Sequence, residues 1–174
     1  MSKLARSLIF AFAILMLGGA PSSAAGGAGD VKGVGGGWVA FPPLTSAKYL
    51  HFSFSAHSGP QGDFGQVQFS ISDDLGTPLD VSADVDCLNT IAFPTVRGVG
   101  WFSAVVKRVD PSGNLFGISP GDRMYFQIVD GGDPSARPVD DFQIYTDLAV
   151  SCKMLTPILG PPDVTQGNIV ISTN

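Results

Sequence analysis

Residues 49–57 alternate strictly: Leu50, Phe52, Phe54 and Ala56 are apolar, and Tyr49, His51, Ser53, Ser55 and His57 stand between them. A period of two predicts a strand with one buried face. The same period predicts strands over residues 66–71, 80–87, 123–129 and 142–152, with a first strand starting near Trp38 and a last one over 168–172. Between these runs stand turn-forming groups, namely Ser58-Gly59-Pro60, Asp73-Asp74-Leu75-Gly76, Asp110-Pro111-Ser112-Gly113, Ser119-Pro120-Gly121-Asp122 and Asp130-Gly131-Gly132-Asp133. Gly supplies positive φ, Pro presets φ, and Asp or Ser bonds its own backbone, so each group ends a strand by a known mechanism. Many short strands at this spacing predict an all-β domain, an antiparallel β-sandwich or flattened β-barrel of about 8–10 strands. In that fold the 168–172 strand pairs near the strand at Trp38 and removes an exposed edge.

Composition strengthens this reading. The chain of 174 residues contains 22 Gly and 13 Pro, and all 15 of its acidic residues are Asp. Glu favours helix and Asp favours caps and turns, so helix is disfavoured.

Two segments fall outside the alternating pattern. Lys3 and Arg6 precede an apolar run from Leu8 to Leu17, and Ser22, Ser23, Ala24 and Ala25 follow, which is the order of a secretory signal peptide cleaved after Ala25. Ten apolar residues are about half of what a membrane-spanning helix needs, and no later stretch is longer, so no membrane span is expected after cleavage. Residues 26–37 hold seven Gly and are expected to form a flexible leader, leaving a single β domain over 38–174. Removal of Lys3 and Arg6 leaves 8 basic against 15 acidic residues, a net charge near −7. Nucleic acid is a poor partner for such a surface. Export places the chain in the periplasm, at the cell surface or in the medium.

Two cysteines in an exported chain predict one disulfide, Cys87 to Cys152, closing a loop of about 65 residues and adding roughly 4 kcal/mol on a chain-entropy argument. Cys87 follows Val81, Ala83 and Val85 in period, and Cys152 follows Phe142, Ile144, Leu148 and Val150, so both sulfurs are expected in the core. Two buried free thiols are the competing reading.

Candidates for chemistry are few. Gly117-Ile118-Ser119-Pro120-Gly121 has the outline of a nucleophile elbow, but Pro120 lacks the N–H that an oxyanion hole needs, and both histidines precede Ser119. A plain Pro-Gly turn is expected there. His51 and His57 are separated by about 20 Å along one strand, too far to share a metal, and are expected to face solvent. Asp84 and Asp86 share one strand face as a solvated pair, with a hydrolase the minor alternative. The best candidate site is acidic: Asp130, Asp133, Asp140 and Asp141 fall within fourteen residues. Of these, Asp130, Asp133 and Asp141 are the candidate calcium ligands, with backbone carbonyls and water filling a shell of about six to eight oxygens. No cofactor other than calcium is expected. Trp38, Tyr49, Trp101, Tyr125 and Tyr145 motivate a glycan as partner, because an aromatic face with a polar tip suits a sugar. Buried, they serve core packing instead.

The chain also resembles the post-COAP type domains of exported bacterial proteins. The resemblance lies in Gly35-Gly36-Gly37, the aromatic strand from Phe52 to Ala56, Gly65-Gln66-Val67-Gln68-Phe69, Val129-Asp130-Gly131-Gly132-Asp133, Asp141-Phe142-Gln143-Ile144 and Gly167-Asn168-Ile169-Val170-Ile171, in the expected order. It implies an exported β domain without catalytic residues. A non-catalytic module with a structural or surface-interaction role, meeting an unidentified protein or a glycan, is therefore expected. A carbohydrate- or calcium-dependent binding module is the alternative.

Overall fold

The computed structural model describes residues 30–40, 47–73, 78–91, 96–111, 117–132, 140–146, 148–156 and 163–173. The signal-like segment lies outside them. The described residues form eight strands: β1 (Val31–Ala40), β2 (Ala47–Gly59), β3 (Gly62–Asp73), β4 (Pro78–Ile91), β5 (Gly98–Asp110), β6 (Arg123–Asp130), β7 (Asp141–Thr146) and β8 (Val164–Thr173). They form one antiparallel sheet in the order β7-β6-β5-β4-β3-β2-β1-β8. The first seven strands are a meander, and the last returns to lie beside the first, as expected.

The sheet curls until its ends approach. Phe52 on β2 and Phe142 on β7 are far apart in sheet order, yet their rings stack with centroids 3.9 Å apart. Phe54 stacks on Phe102 at 5.1 Å, and Phe102 on Phe126 at 4.6 Å. These rings, with Leu50, Val67, Ile71, Val81, Leu88, Met124, Ile128 and Ile169, fill the interior. Of the two architectures expected, the nearly closed barrel is the one formed. Its outer wall bears exposed Lys32, Ser53, Gln68, Asp80 and Asp84, the reverse of the apolar belt that a membrane barrel presents to lipid. Among the described residues no helix is long and apolar enough to cross a membrane.

Four expectations need correction. The Gly-rich stretch is not a leader throughout, because β1 begins at Val31 and residues 31–37 pair with both β2 and β8. Its glycines are needed where large side chains cross the narrow interior: a Cβ on Gly35 would stand 2.8 Å from the Phe54 ring and 2.9 Å from Ile169. β5 was not anticipated, since both of its faces are buried from Gly98 to Ala104 and alternation disappears when neither side meets water. The strand expected over 142–152 ends at Thr146, and Cys152 opens a short 3-10 turn (Cys152–Met154).

The disulfide between Cys87 and Cys152 is formed, but on the outside of the barrel. A bulge between Val85 and Cys87 breaks the alternation of β4, so Val85 and Leu88 face inward and Cys87 faces out beside Ser103. An inserted residue shifts every later side chain to the other face. Both sulfurs join a second cluster, made of Trp101, Tyr125, Tyr145, Leu148 and Leu155, on the outer face of β5 to β7. The 148–156 segment thus straps that face. Tyr125 Oη donates to the Val150 carbonyl at 2.8 Å, and Lys153 pairs with Asp63 at 2.8 Å and donates to the Leu88 carbonyl.

Candidate functional site

Three regions could carry function, and they differ in how far their polar groups are already used. The first is the acidic region. Asp130 ends β6, and its Oδ1 accepts the Gly132 N–H at 3.0 Å while its Oδ2 accepts the Ile171 N–H of β8 at 3.0 Å. Asp140 accepts the Gly131 N–H at 2.9 Å and the Ile169 N–H of β8. Two carboxylates therefore take N–H groups along the edge of β8 that β1 leaves unpaired. Among the described residues, direct strand pairing there is the bridge between Asp141 and Asp163 and the bond from Val164 N–H to the Asp140 carbonyl at 2.9 Å. Barrel closure runs through side chains where a strand ladder is missing.

Burial raises the Asp140 carboxyl above its ordinary value, and the neighbouring Asp130 adds to the rise against the two N–H bonds. Asp141 is pushed up to about 7 by burial and by Asp163, although Gln143 donates to its Oδ2 at 2.7 Å. Its Oδ1 is buried without a hydrogen-bond partner. Of the three candidate calcium ligands, Asp130 and Asp141 belong to this seam and Asp133 lies outside the described residues. Among the described residues no group of three or more acidic, His or Cys side chains is arranged to hold a metal ion.

The second region is the groove between the strap and the barrel wall, about 730 Å³, lined by Asp63, Asp86, Arg123, Tyr125, Cys152 and Lys153 among others. Its charges are matched internally. Asp86 takes the Arg123 guanidinium and the Ser103 hydroxyl, and Asp63 takes Lys153 and the Leu88 N–H. Burial would raise Asp63, but the bonds from Lys153, Ser58 and Leu88 outweigh it and hold the carboxyl below its ordinary value.

The third region is the open outer wall. Strand register brings Gln166, Trp38, His51, Ser70, Asp80 and Asp110 into one row across β8, β1, β2, β3, β4 and β5, each opposite the next. A second row beside it reads Asn168, Gly36, Ser53, Gln68, Ser82 and Arg108. Trp38 is 43% exposed and packs its ring on His51 at 4.7 Å, and Tyr49, 53% exposed, stands two residues before His51 on the same face of β2. From His51 to Asp110 the two rows line a groove of about 340 Å³. Ser70 donates to Asp80 there, and Arg108 bonds Asp110 at 3.1 Å. A second outward-facing pair, half-buried His57 stacked on exposed Phe64 at 4.9 Å, lies towards the other end of β2.

The sequence-derived candidates divide accordingly. Both histidines face outward. Trp101 and Tyr125 are buried under the strap, which removes them from any sugar-contact surface, whereas Trp38 and Tyr49 remain available. Asp84 is paired with Lys107 at 3.2 Å. Ser119 sits in a turn, its N–H held by Asp122 at 2.7 Å. No protein-family model, curated protein or solved structure matches the chain. The rows escaped sequence reasoning because face follows from period, but neighbourhood across strands needs register.

Proposed function

We propose that this chain is an exported, non-catalytic module that works by binding, and that its contact surface is the open outer wall of β8, β1, β2, β3, β4 and the end of β5. The observation that carries this reading is the unbroken row from Gln166 through Trp38 and His51 to Asp110, with the large Trp38 ring left in water at its second position. An exposed aromatic beside convergent donors and acceptors is the anatomy of a recognition surface. The outer face of β5 to β7 is covered by the strap, and the acidic seam spends Asp130 and Asp140 on β8. Export is supported by the signal-like leader and by the disulfide, which persists in oxidising compartments.

The test is retention of the purified domain on isolated cell envelopes of the producing organism. Retention is expected for the wild type, and a drop of at least tenfold for Trp38→Ala and His51→Ala. Equal retention of both variants would move the contact surface elsewhere.

A further inference from the structure

The composition of the wall narrows its ligand, and the inference rests on the outer wall being the contact surface. We infer that the ligand is a neutral polysaccharide chain lying across the strands along the Trp38 to Asp110 row. Four observations lead to this class. The Trp38 ring offers an apolar face at the start of the row, with Tyr49 diagonal to it, and the C–H face of a pyranose ring is matched by such a platform. Beyond His51 the wall changes to Ser70, Gln68, Asp80, Arg108 and Asp110, a polar stretch that holds both acceptors and donors, with Ser70 donating to Asp80 and Arg108 to Asp110. Sugar hydroxyls both donate and accept, so one ring can meet a carboxylate and a guanidinium together.

Charge selects among glycans. Among the described residues that line the groove, Asp80 and Asp110 stand opposite each other across β4 and β5 with Arg108 as the one guanidinium, and Arg108 is already bonded to Asp110. An anionic glycan or a nucleic acid would bring like charge to these carboxylates, while a neutral chain meets no such cost. Length agrees as well. The row from Trp38 to Asp110 crosses five strands, about 19 Å at the usual interstrand spacing of about 4.8 Å. Successive pyranose units of an extended chain advance by a similar step, so each unit would meet a new strand.

Affinity gel electrophoresis of the mature chain tests this, with hydroxyethylcellulose, mannan, dextran and galactomannan as neutral probes and alginate and polygalacturonate as anionic ones. The expected result is retardation by at least one neutral polysaccharide and by neither anionic one. Trp38→Ala is expected to weaken binding at least tenfold, with Trp38→Phe recovering part of it, while near-ultraviolet circular dichroism shows the fold kept. A double variant, Asp80→Asn with Asp110→Asn, is expected to weaken neutral binding and to admit the anionic probes. No retardation by any neutral probe would overturn the proposal, as would tighter binding to the anionic ones. If envelope retention still requires Trp38 while the neutral probes fail, the ligand class is wrong and the contact surface stands. If retention is indifferent to Trp38, the contact surface itself is wrong.

Discussion

The carboxylate of Asp130, at the last position of β6, accepts the backbone N–H of Ile171 on β8 at 3.0 Å, so an acidic side chain joins two strands that are not neighbours in the sheet. With Asp140 doing the same for Ile169, the free edge of the final strand is occupied without a ladder. An edge N–H held by a carboxylate is a poor template for another chain.

Loss of these acceptors should therefore open the seam. Asp130→Ala strands the N–H groups of Gly132 and Ile171, and a cost of about 1–3 kcal/mol is expected in urea unfolding. Amide hydrogen exchange should accelerate at Ile169 and Ile171 before the interior strands. Asp130→Asn keeps one acceptor and should cost less. Unchanged exchange at both amides would remove the seam's role.

Stability should also depend on pH in a direction set by Asp141. Its carboxyl titrates near 7 in the fold against 3.8 ordinarily, so between those values the folded chain holds a proton that the unfolded chain lacks. That contribution is full below the ordinary value and is lost as pH rises towards 7 and beyond, with Asp140 acting in the same sense. Asp63 is lowered and acts oppositely, adding stability above the ordinary carboxylate range and losing it as pH falls through its folded value. Thermal midpoints are expected to fall steadily from pH 5 to pH 8. In Asp141→Asn the difference between pH 5 and pH 8 should shrink. An equal difference in that variant would assign the dependence to other groups.

The strap should loosen when the bond between Cys87 and Cys152 is cut. Replacing both cysteines by alanine is expected to cost about 2–4 kcal/mol, for a closed loop of this length. Tyr125 loses its fixed partner at Val150, and Trp101 gains access to water, so iodide quenching of tryptophan should rise along with the destabilisation. Destabilisation without a change in quenching would mean that the strap stays in place.

Gly35 tests the crowding of the interior. A Cβ there would lie within 3.0 Å of Phe54, Ile169 and the Asn168 carbonyl, so Gly35→Ala should cost about 1–3 kcal/mol by overpacking. A neutral effect in denaturant unfolding would show that β8 can shift outward.

Much of the architecture is legible before any coordinates. The alternation of Leu50, Phe52, Phe54 and Ala56 with His51, Ser53 and Ser55 fixes which side of β2 meets water, because side-chain direction in a strand is a local property. The turn chemistry at Ser58-Gly59-Pro60 places β2 against β3, and the need to cover an edge places β8 beside β1. The all-β class and the pairing of the two cysteines follow in the same way.

What only the tertiary structure decides are relations between strands. β5 hides because both of its faces are covered, and the alternating signal needs one wet face. The disulfide changes face because one bulge before Cys87 reverses the count, an event with no local hydrophobic signature. Asp130 and Asp141 look alike in the sequence, but one accepts the edge of β8 while the other is left with an unpaired, buried oxygen. The row from Gln166 to Asp110 draws single residues from six strands. Its existence depends on register across the whole sheet, whereas period along one strand sets only the face on which each residue stands.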